Sequence, residues 1–178
     1  MRRAIAAALV LLIGACHRDT SVPGELGRSQ DEYGARYGAA TTSPVTPDQI
    51  GYTAAPGTRL IARFADKRSV EELWIIDGDG QGLPEVLAQR ARGLLGPDKT
   101  PLKTITFKGE GKSPADLFEE PAGTGVLRVD RRFGRLSRVA LCAETAKCRM
   151  LDYLQKSEQD TDAMMAAAAK AMREQMGR

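Results

Sequence analysis

Val126-Leu127-Arg128-Val129-Asp130-Arg131, then Arg132-Phe133-Gly134, then Arg135-Leu136-Ser137-Arg138-Val139-Ala140-Leu141-Cys142 is the stretch whose reading decides the fold. Apolar and polar residues largely alternate on both sides of a short break that ends in glycine. Period two marks strands with one buried face, and a three-residue loop with glycine in the left-handed position is a common hairpin connection. That loop pairs Leu127 with Val139 and Val129 with Ser137. Cys142 and Cys148 follow with five residues between them, a spacing that suits a loop closed by a structural disulfide. If Cys142 opposes Cys148, Val139 opposes Leu151 and Ser137 opposes Tyr153. Leu127, Val129, Val139, Leu141, Leu151 and Tyr153 then share one face, and Arg128, Arg138, Cys142 and Cys148 share the other. Two loop arguments agree on one three-stranded meander.

A second hairpin is predicted upstream. Residues 58–65 and 70–76 flank Asp66-Lys67-Arg68-Ser69, which places Arg63 opposite Glu72 and Ala62 opposite Leu73. Leu60, Ala62, Phe64, Leu73 and Ile75 share a face in that register; Ile61, Trp74 and Ile76 share the other. A helix after Pro84, with Leu87, Ala91, Leu94 and Leu95 as its apolar stripe and Gly96-Pro97 as its stop, is expected to cover the latter. Residues 25–37 suit a short helix and residues 39–48 a loop. Residues 102–108 read as strand, and residues 115–119 as one helical turn. From Asp160 the chain is helical, with Met165, Ala168, Met172 and Met176 as a narrow stripe that serves either as a docking face or as an adaptable partner-binding surface. The fold class is α+β: antiparallel β-hairpins or a meander packed with short helices, ending in a C-terminal helix. The units are 25–96, 102–154 and 155–178. No long internal repeat is evident, and the two β units form either one sheet or two lobes.

The N-terminus carries a different signal. Met1-Arg2-Arg3 precedes an apolar run from Ala4 to Ile13, then Gly14-Ala15-Cys16. A charged start, about ten apolar residues and small residues before a cut describe an export signal, too short to span a bilayer stably. Leu12-Ile13-Gly14-Ala15-Cys16 resembles the lipobox of bacterial lipoproteins. The resemblance implies a signal peptide at 1–15, an acylated Cys16, and a lipidated tether at 16–24. His17 stands where an aspartate would mark inner-membrane retention in enterobacteria-like systems, which favours the outer membrane, periplasmic face. Removing Arg2 and Arg3 takes Lys+Arg from 26 to 24 against 23 Asp+Glu, so the global charge makes no case for nucleic-acid binding. Tyr33-Gly34-Ala35-Arg36-Tyr37-Gly38, followed by Arg63-Phe64-Ala65-Asp66-Lys67, is similar to a pattern in small outer-membrane lipoproteins of the SmpA/OmlA type. Proline is missing after Gly38, and Lys67 stands where glycine is usual. The likeness covers residues 25–77, implies a helix followed by a β-meander, and supports an envelope interaction role with no catalytic residue carried over.

The chemistry-bearing residues are few. His17 is the only histidine, so Ser-His-Asp and Cys-His mechanisms lack a base in the folded part. Asp77, Asp79 and Gln81 alternate like the start of a calcium loop, with Glu85 as a further oxygen donor, yet position twelve holds Ala88 instead of a bidentate Glu. A plain Gly-rich turn is the alternative. Glu119-Glu120, or Asp77 with Asp79, would be the carboxylates of a hydrolase, though adjacent side chains usually point apart. Arg128, Arg131, Arg132, Arg135 and Arg138 cluster on one hairpin, where Arg128 is expected to face Arg138. A like-charge pair calls for an anion nearby, from anionic lipid or an acidic partner; a solvated face beside Asp130 is the alternative. The reading is a non-enzymatic, outer-membrane-anchored periplasmic lipoprotein that binds an envelope protein or anionic lipid, without cofactor. An envelope hydrolase and a calcium-dependent binding module are the other classes.

Overall fold

Apolar residues at every second position draw Gln49–Ala55 (β1) and Thr58–Ala65 (β2), and a continuous apolar run Leu73-Trp74-Ile75-Ile76 draws Arg68–Ile76 (β3), into an antiparallel meander. The structure, a computed structural model, describes residues 26–41, 48–77, 81–107, 114–122, 125–143 and 148–176. The signal peptide, the tether, Cys16, His17 and Asp79 lie outside the described residues. Gln30–Tyr37 (α1) precedes the first meander, capped by Ser29 and Glu32 in a reciprocal capping box. Glu85–Leu94 (α2) follows it, with Pro84 at the N-cap. Lys103–Ile105 (β4) and the second meander come next: Ala115–Ala122 (β5), Gly125–Arg132 (β6) and Arg135–Cys142 (β7). Arg149–Met176 (α3) closes the described chain.

The two meanders share one sheet. Its order is β1-β2-β3-β7-β6-β5-β4, so β3 and β7 join the halves edge to edge. The halves are also alike in construction. β2 and β3 turn through Asp66 and Lys67, both at positive φ, and Val70 is then an extra residue between paired Glu71 and Ser69. β6 and β7 turn through Phe133 and Gly134, both at positive φ, and Ser137 is the extra residue. Each feature of the first hairpin recurs 67 residues later, as Gly125 does for Thr58 and Arg135 for Arg68. Leu73 pairs with Ala140 at the same offset, so the β3–β7 ladder is centred on an approximate two-fold axis. The internal repeat that the sequence hides is thus present in the backbone.

Both hairpin registers differ from expectation. Ala62 pairs with Glu72 and Arg63 with Glu71, because Asp66-Lys67 is a two-residue turn and Val70 bulges. A one-residue slip exchanges the faces of β3. Leu60, Ala62 and Phe64 therefore share a face with Trp74 and Ile76, while Ile61 lies with Leu73 and Ile75 on the other. Leu127 pairs with Leu141 and Val129 with Val139, a two-residue slip that leaves the sidedness intact. Residues 115–122 form a strand, not a helical turn. Residues 149–154, expected as the third strand, are the first turns of α3.

Helices cover both faces. Tyr33 and Tyr37 of α1 pack over the first meander: Tyr33 lies 5.7 Å from the Tyr52 ring and Tyr37 lies 5.9 Å from that of Trp74. α2, expected over Trp74 and Ile76, buries Leu87, Ala88, Ala91 and Leu94 and leans on β5, β6 and β7. The opposite face holds Leu73, Leu117, Val126, Ala140 and Cys142 under Met150 and Leu151 of α3. Each such fully buried leucine contributes about 1.5–3 kcal/mol.

One contact is unusually close. A Cβ on Gly125 would lie 1.8 Å from the Cys142 carbonyl oxygen, where backbone meets backbone. Gly125→Ala is expected to cost at least about 3 kcal/mol in chemical denaturation. Gly34→Ala, in α1 with nothing within 4 Å of the new Cβ, is expected to stabilise by up to about 1 kcal/mol.

Candidate functional site: the charged seam beneath α3

Sheet pleat and register put Glu71, Asp130 and Arg138 on the face that α3 covers, all buried. Glu71 in one half of the sheet and Asp130 in the other each meet an arginine of the adjacent strand there. Arg63 donates from Nε to Glu71 at 3.1 Å, and Arg138 donates to Asp130 at 3.3 Å. Arg63 and Asp130 are equivalent under the two-fold, as are Glu71 and Arg138, so the second pair repeats the first with its charges exchanged.

α3 is fitted to both pairs. At its start the Met150 N–H donates to Glu71 at 2.8 Å. The first amides of a helix have no partner in the helix itself, and its N-terminus carries partial positive charge. Glu71 satisfies one of those amides from a different element. The disulfide between Cys142 and Cys148, Cα atoms 5.5 Å apart, fixes the same end of the helix to β7. Two turns further on, Glu158 accepts from Arg138 and, at 2.6 Å, from Arg132. Arg132 also lies over the Phe107 ring at 4.6 Å.

Environment sets the carboxyl groups apart. Burial raises the pKa of Glu71, although the Met150 amide and Arg63 oppose it. Burial likewise raises that of Asp130 against Arg132 and Arg138. Burial also presses Glu158 upward, but its hydrogen bonds from Arg138 and Arg132 outweigh that and its pKa is lowered. Asp116 is lowered by hydrogen bonds from Arg131 and Thr104.

The arginine cluster is therefore largely used within the protein. Arg128 faces Ala140, not Arg138, because of the slipped register. It bonds Glu119 at 2.6 Å and Asp152 at 3.2 Å. Arg131 bonds Asp116 at 2.8 Å. Arg138 faces Asp130, an opposite charge where a like charge was expected. Arg135 alone of the five is exposed, beside a hollow of about 560 Å³ lined also by Ile76, Asp77 and Ser137. Glu119 and Glu120 point apart: the first meets Arg128, the second Arg90 at 2.7 Å. Asp77 meets Arg59 at 3.4 Å, and Glu85 meets Gln89 and Arg92. Gln81 is exposed, and among the described residues no group of three or more His, Cys, Asp or Glu is placed to hold a metal ion. Glu71 is the seam carboxylate the sequence reading passed over. Glu72, set there opposite Arg63, instead pairs with Ala62. It is buried in the opposite core, where the Tyr33 hydroxyl donates to it at 2.5 Å and the Trp74 indole at 3.1 Å. Arg63 opposite a carboxylate was the available signal, and the slipped register attached it to the wrong glutamate.

No family model and no curated protein matches the chain. Among solved structures it is similar to a DUF4309 family protein (YjgB) from Bacillus subtilis, with TM-score 0.41 and 14% identity over 65% of this chain and 78% of that one. It is also similar to a cysteine-rich secretory protein (SAV1118) from Staphylococcus aureus, with TM-score 0.41 and 12% identity over 66% of this chain and 44% of that one. The chain thus spans under half the length of the second protein.

Two outcomes test the seam. Arg138→Ala leaves buried Asp130 with Arg132 as its remaining arginine and Glu158 short of one donor, and is expected to cost up to about 3–5 kcal/mol, whereas Asp130→Asn/Arg138→Met is expected to recover part of that loss in a denaturant titration. A carboxylate whose pKa is lowered by folding gives stability that is present above its unfolded value and is lost as pH falls through the folded value. Glu158 should therefore cost stability as pH drops below 4.5. Glu71 and Asp130, raised on folding, act in the opposite sense. Glu158→Gln is expected to flatten the acid side of the stability curve, read by urea midpoints across pH 3 to 6, roughly the range where carboxyl groups titrate.

Proposed function

We propose that the chain is a bacterial lipoprotein, held through Cys16 on the periplasmic face of the outer membrane and acting there as a non-catalytic interaction or assembly module. The observation that carries the reading is the run Leu12-Ile13-Gly14-Ala15-Cys16, small residues ahead of a cysteine after an apolar stretch. A thioether-linked lipid with two or three acyl chains gives lasting attachment, which a single chain does not. The Cys142–Cys148 disulfide at the root of α3 supports an oxidising compartment.

The charge distribution supports a binding role over a chemical one. Glu71, Glu119, Glu120 and Glu158 each meet an arginine instead of converging on one hollow. The exposed large apolar side chains include Phe133 at the β6–β7 tip, 73% exposed, and Met172 and Met176 at the end of α3, 64% and 81% exposed. These are the contact surfaces of the module.

Mass spectrometry of the chain from its native envelope tests the anchor. An acylated chain beginning at Cys16, recovered with the outer membrane and released into the soluble fraction by Cys16→Ser, is the expected result. An unmodified soluble chain overturns the reading.

A further inference from the structure

The ladder between β3 and β7 leaves a short overhang at each of its ends. β3 starts at Arg68 and β7 at Arg135, while the ladder runs from Glu71 opposite Cys142 to Ile75 opposite Arg138. Arg68-Ser69 and Arg135-Leu136 therefore lie past its two ends, and the approximate two-fold axis exchanges them. In the first half the chain itself occupies the overhang. The Gly27 N–H donates to the Ser69 carbonyl at 2.8 Å, and the Ser69 N–H donates to the Arg28 carbonyl at 2.9 Å. Arg68 donates to the Gly27 carbonyl at 3.2 Å and to the Glu32 carboxylate at 3.4 Å. Ser69 is buried there.

In the second half the same place is the hollow of about 560 Å³, with Leu136 and Ser137 in its wall. Leu136 stands where Ser69 stands, opposite Arg131 as Ser69 is opposite Phe64. The pair that closes a two-residue turn is hydrogen-bonded and the next pair is not. The N–H and C=O of Leu136 therefore point away from their own hairpin, as those of Ser69 do. Among the described residues, no backbone group bonds them from that side and no carboxylate meets Arg135. Leu136 is half-buried and Arg135 exposed.

Charge sharpens the difference between the halves. Arg132 and Arg135 face each other directly across the Phe133-Gly134 turn. Like charges directly opposite one another destabilise a hairpin. In the first half Ala65 stands in the place of Arg132, opposite Arg68. Arg132 is held by Glu158 at 2.6 Å and lies over Phe107. Arg135 is thus the cation left for an anion from outside the chain. Asp77, which also lines the hollow, is held by Arg59 at 3.4 Å. Phe133 gives the hollow an apolar wall. It sits at φ 50, as Asp66 does in the first turn, a conformation that aspartate adopts more readily than a bulky ring.

We propose that the overhang at Arg135-Leu136 docks a short peptide segment of a partner protein that carries an acidic side chain. The segment's backbone meets the Leu136 N–H and C=O, its carboxylate meets Arg135, and its apolar part lies against Phe133. The first half shows the same contact made within one chain, which identifies the occupant as polypeptide. A phosphate headgroup would satisfy Arg135 but has no donor for the Leu136 carbonyl. Main-chain hydrogen bonds at an open sheet edge are a general mode of peptide recognition. This names the partner chemistry at the β6–β7 tip of the interaction module and rests on that reading; it does not require the lipid.

An NMR titration of the full chain in non-ionic detergent tests this. The probe is a terminally blocked peptide with the sequence Leu26-Gly27-Arg28-Ser29-Gln30-Asp31-Glu32-Tyr33, the segment that fills the first overhang. The expected result is a saturable shift of the Arg135, Leu136 and Ser137 amides. Glu32→Gln in the peptide, or Arg135→Gln at its exposed position in the chain, is expected to weaken binding at least about fivefold. Arg68→Gln, at the overhang already filled, is expected to leave it unchanged. No shift of these amides at millimolar peptide, or an equal loss with Arg68→Gln, overturns the proposal. Glycerol phosphate that shifts them as strongly as the peptide assigns Arg135 to a lipid headgroup and also overturns it. These outcomes leave the anchored module standing, which fails instead on an unmodified soluble chain in the native envelope.

Discussion

The antiparallel pairing of β3 with β7 is the constraint on which the rest of the structure depends. Each meander alone would present an open edge and one uncovered face. Edge-to-edge pairing about Leu73 and Ala140 removes both inner edges and makes one continuous surface. It also sets Glu71 across from Cys142 and Ile75 across from Arg138. The docking points for α3 are thereby placed along a single line: the disulfide, the carboxylate that holds the Met150 amide, and the arginine that holds Glu158.

Charge here serves position more than affinity. Burying an ion pair seldom gives much net stability, because desolvation offsets the attraction. A helix laid on an apolar sheet can slide or rotate at small cost, whereas one that must bring an N–H to Glu71 and a carboxylate to Arg138 has one register. That register decides which part of α3 leaves the sheet. The methionine-bearing turns project because the polar turns before them are held in place.

The strands of both hairpins were legible in the residues, and so was the sidedness of Leu127, Val129, Val139 and Leu141. Register was not. A two-residue turn with both residues left-handed normally announces itself as Asn-Gly or Asp-Gly; Asp66-Lys67 lacks the glycine, and the bulges at Val70 and Ser137 leave no mark in the pattern. The like-charge pair of Arg128 and Arg138 was a product of that slip. Residues 148–154 alternate well enough for a strand, but Met150, Leu151 and Leu154 also suit one side of a helix, and Tyr153, assigned to the core, is 65% exposed. β5 was obscured by Pro121, tolerated because β4 pairs only with residues 115–117 and, among the described residues, no strand flanks that part of β5 on one side. The repeat escaped notice because its most telling pair recurs with acid and base exchanged. Among the chemistry-bearing residues, the arginines were found but their partners were not, since Glu158 and Asp152 come from a helix that was expected to begin later.

Hydrogen exchange followed by mass spectrometry or NMR tests the fusion of the two halves most directly. If β3 and β7 form the middle of one sheet, the amides of residues 72–75 and 138–141 exchange only through global unfolding, together with those of β2 and β6. Exchange of these amides at the faster rate of open edge strands, with β2 and β6 still protected, would contradict a single sheet and the placement of α3 that follows from it.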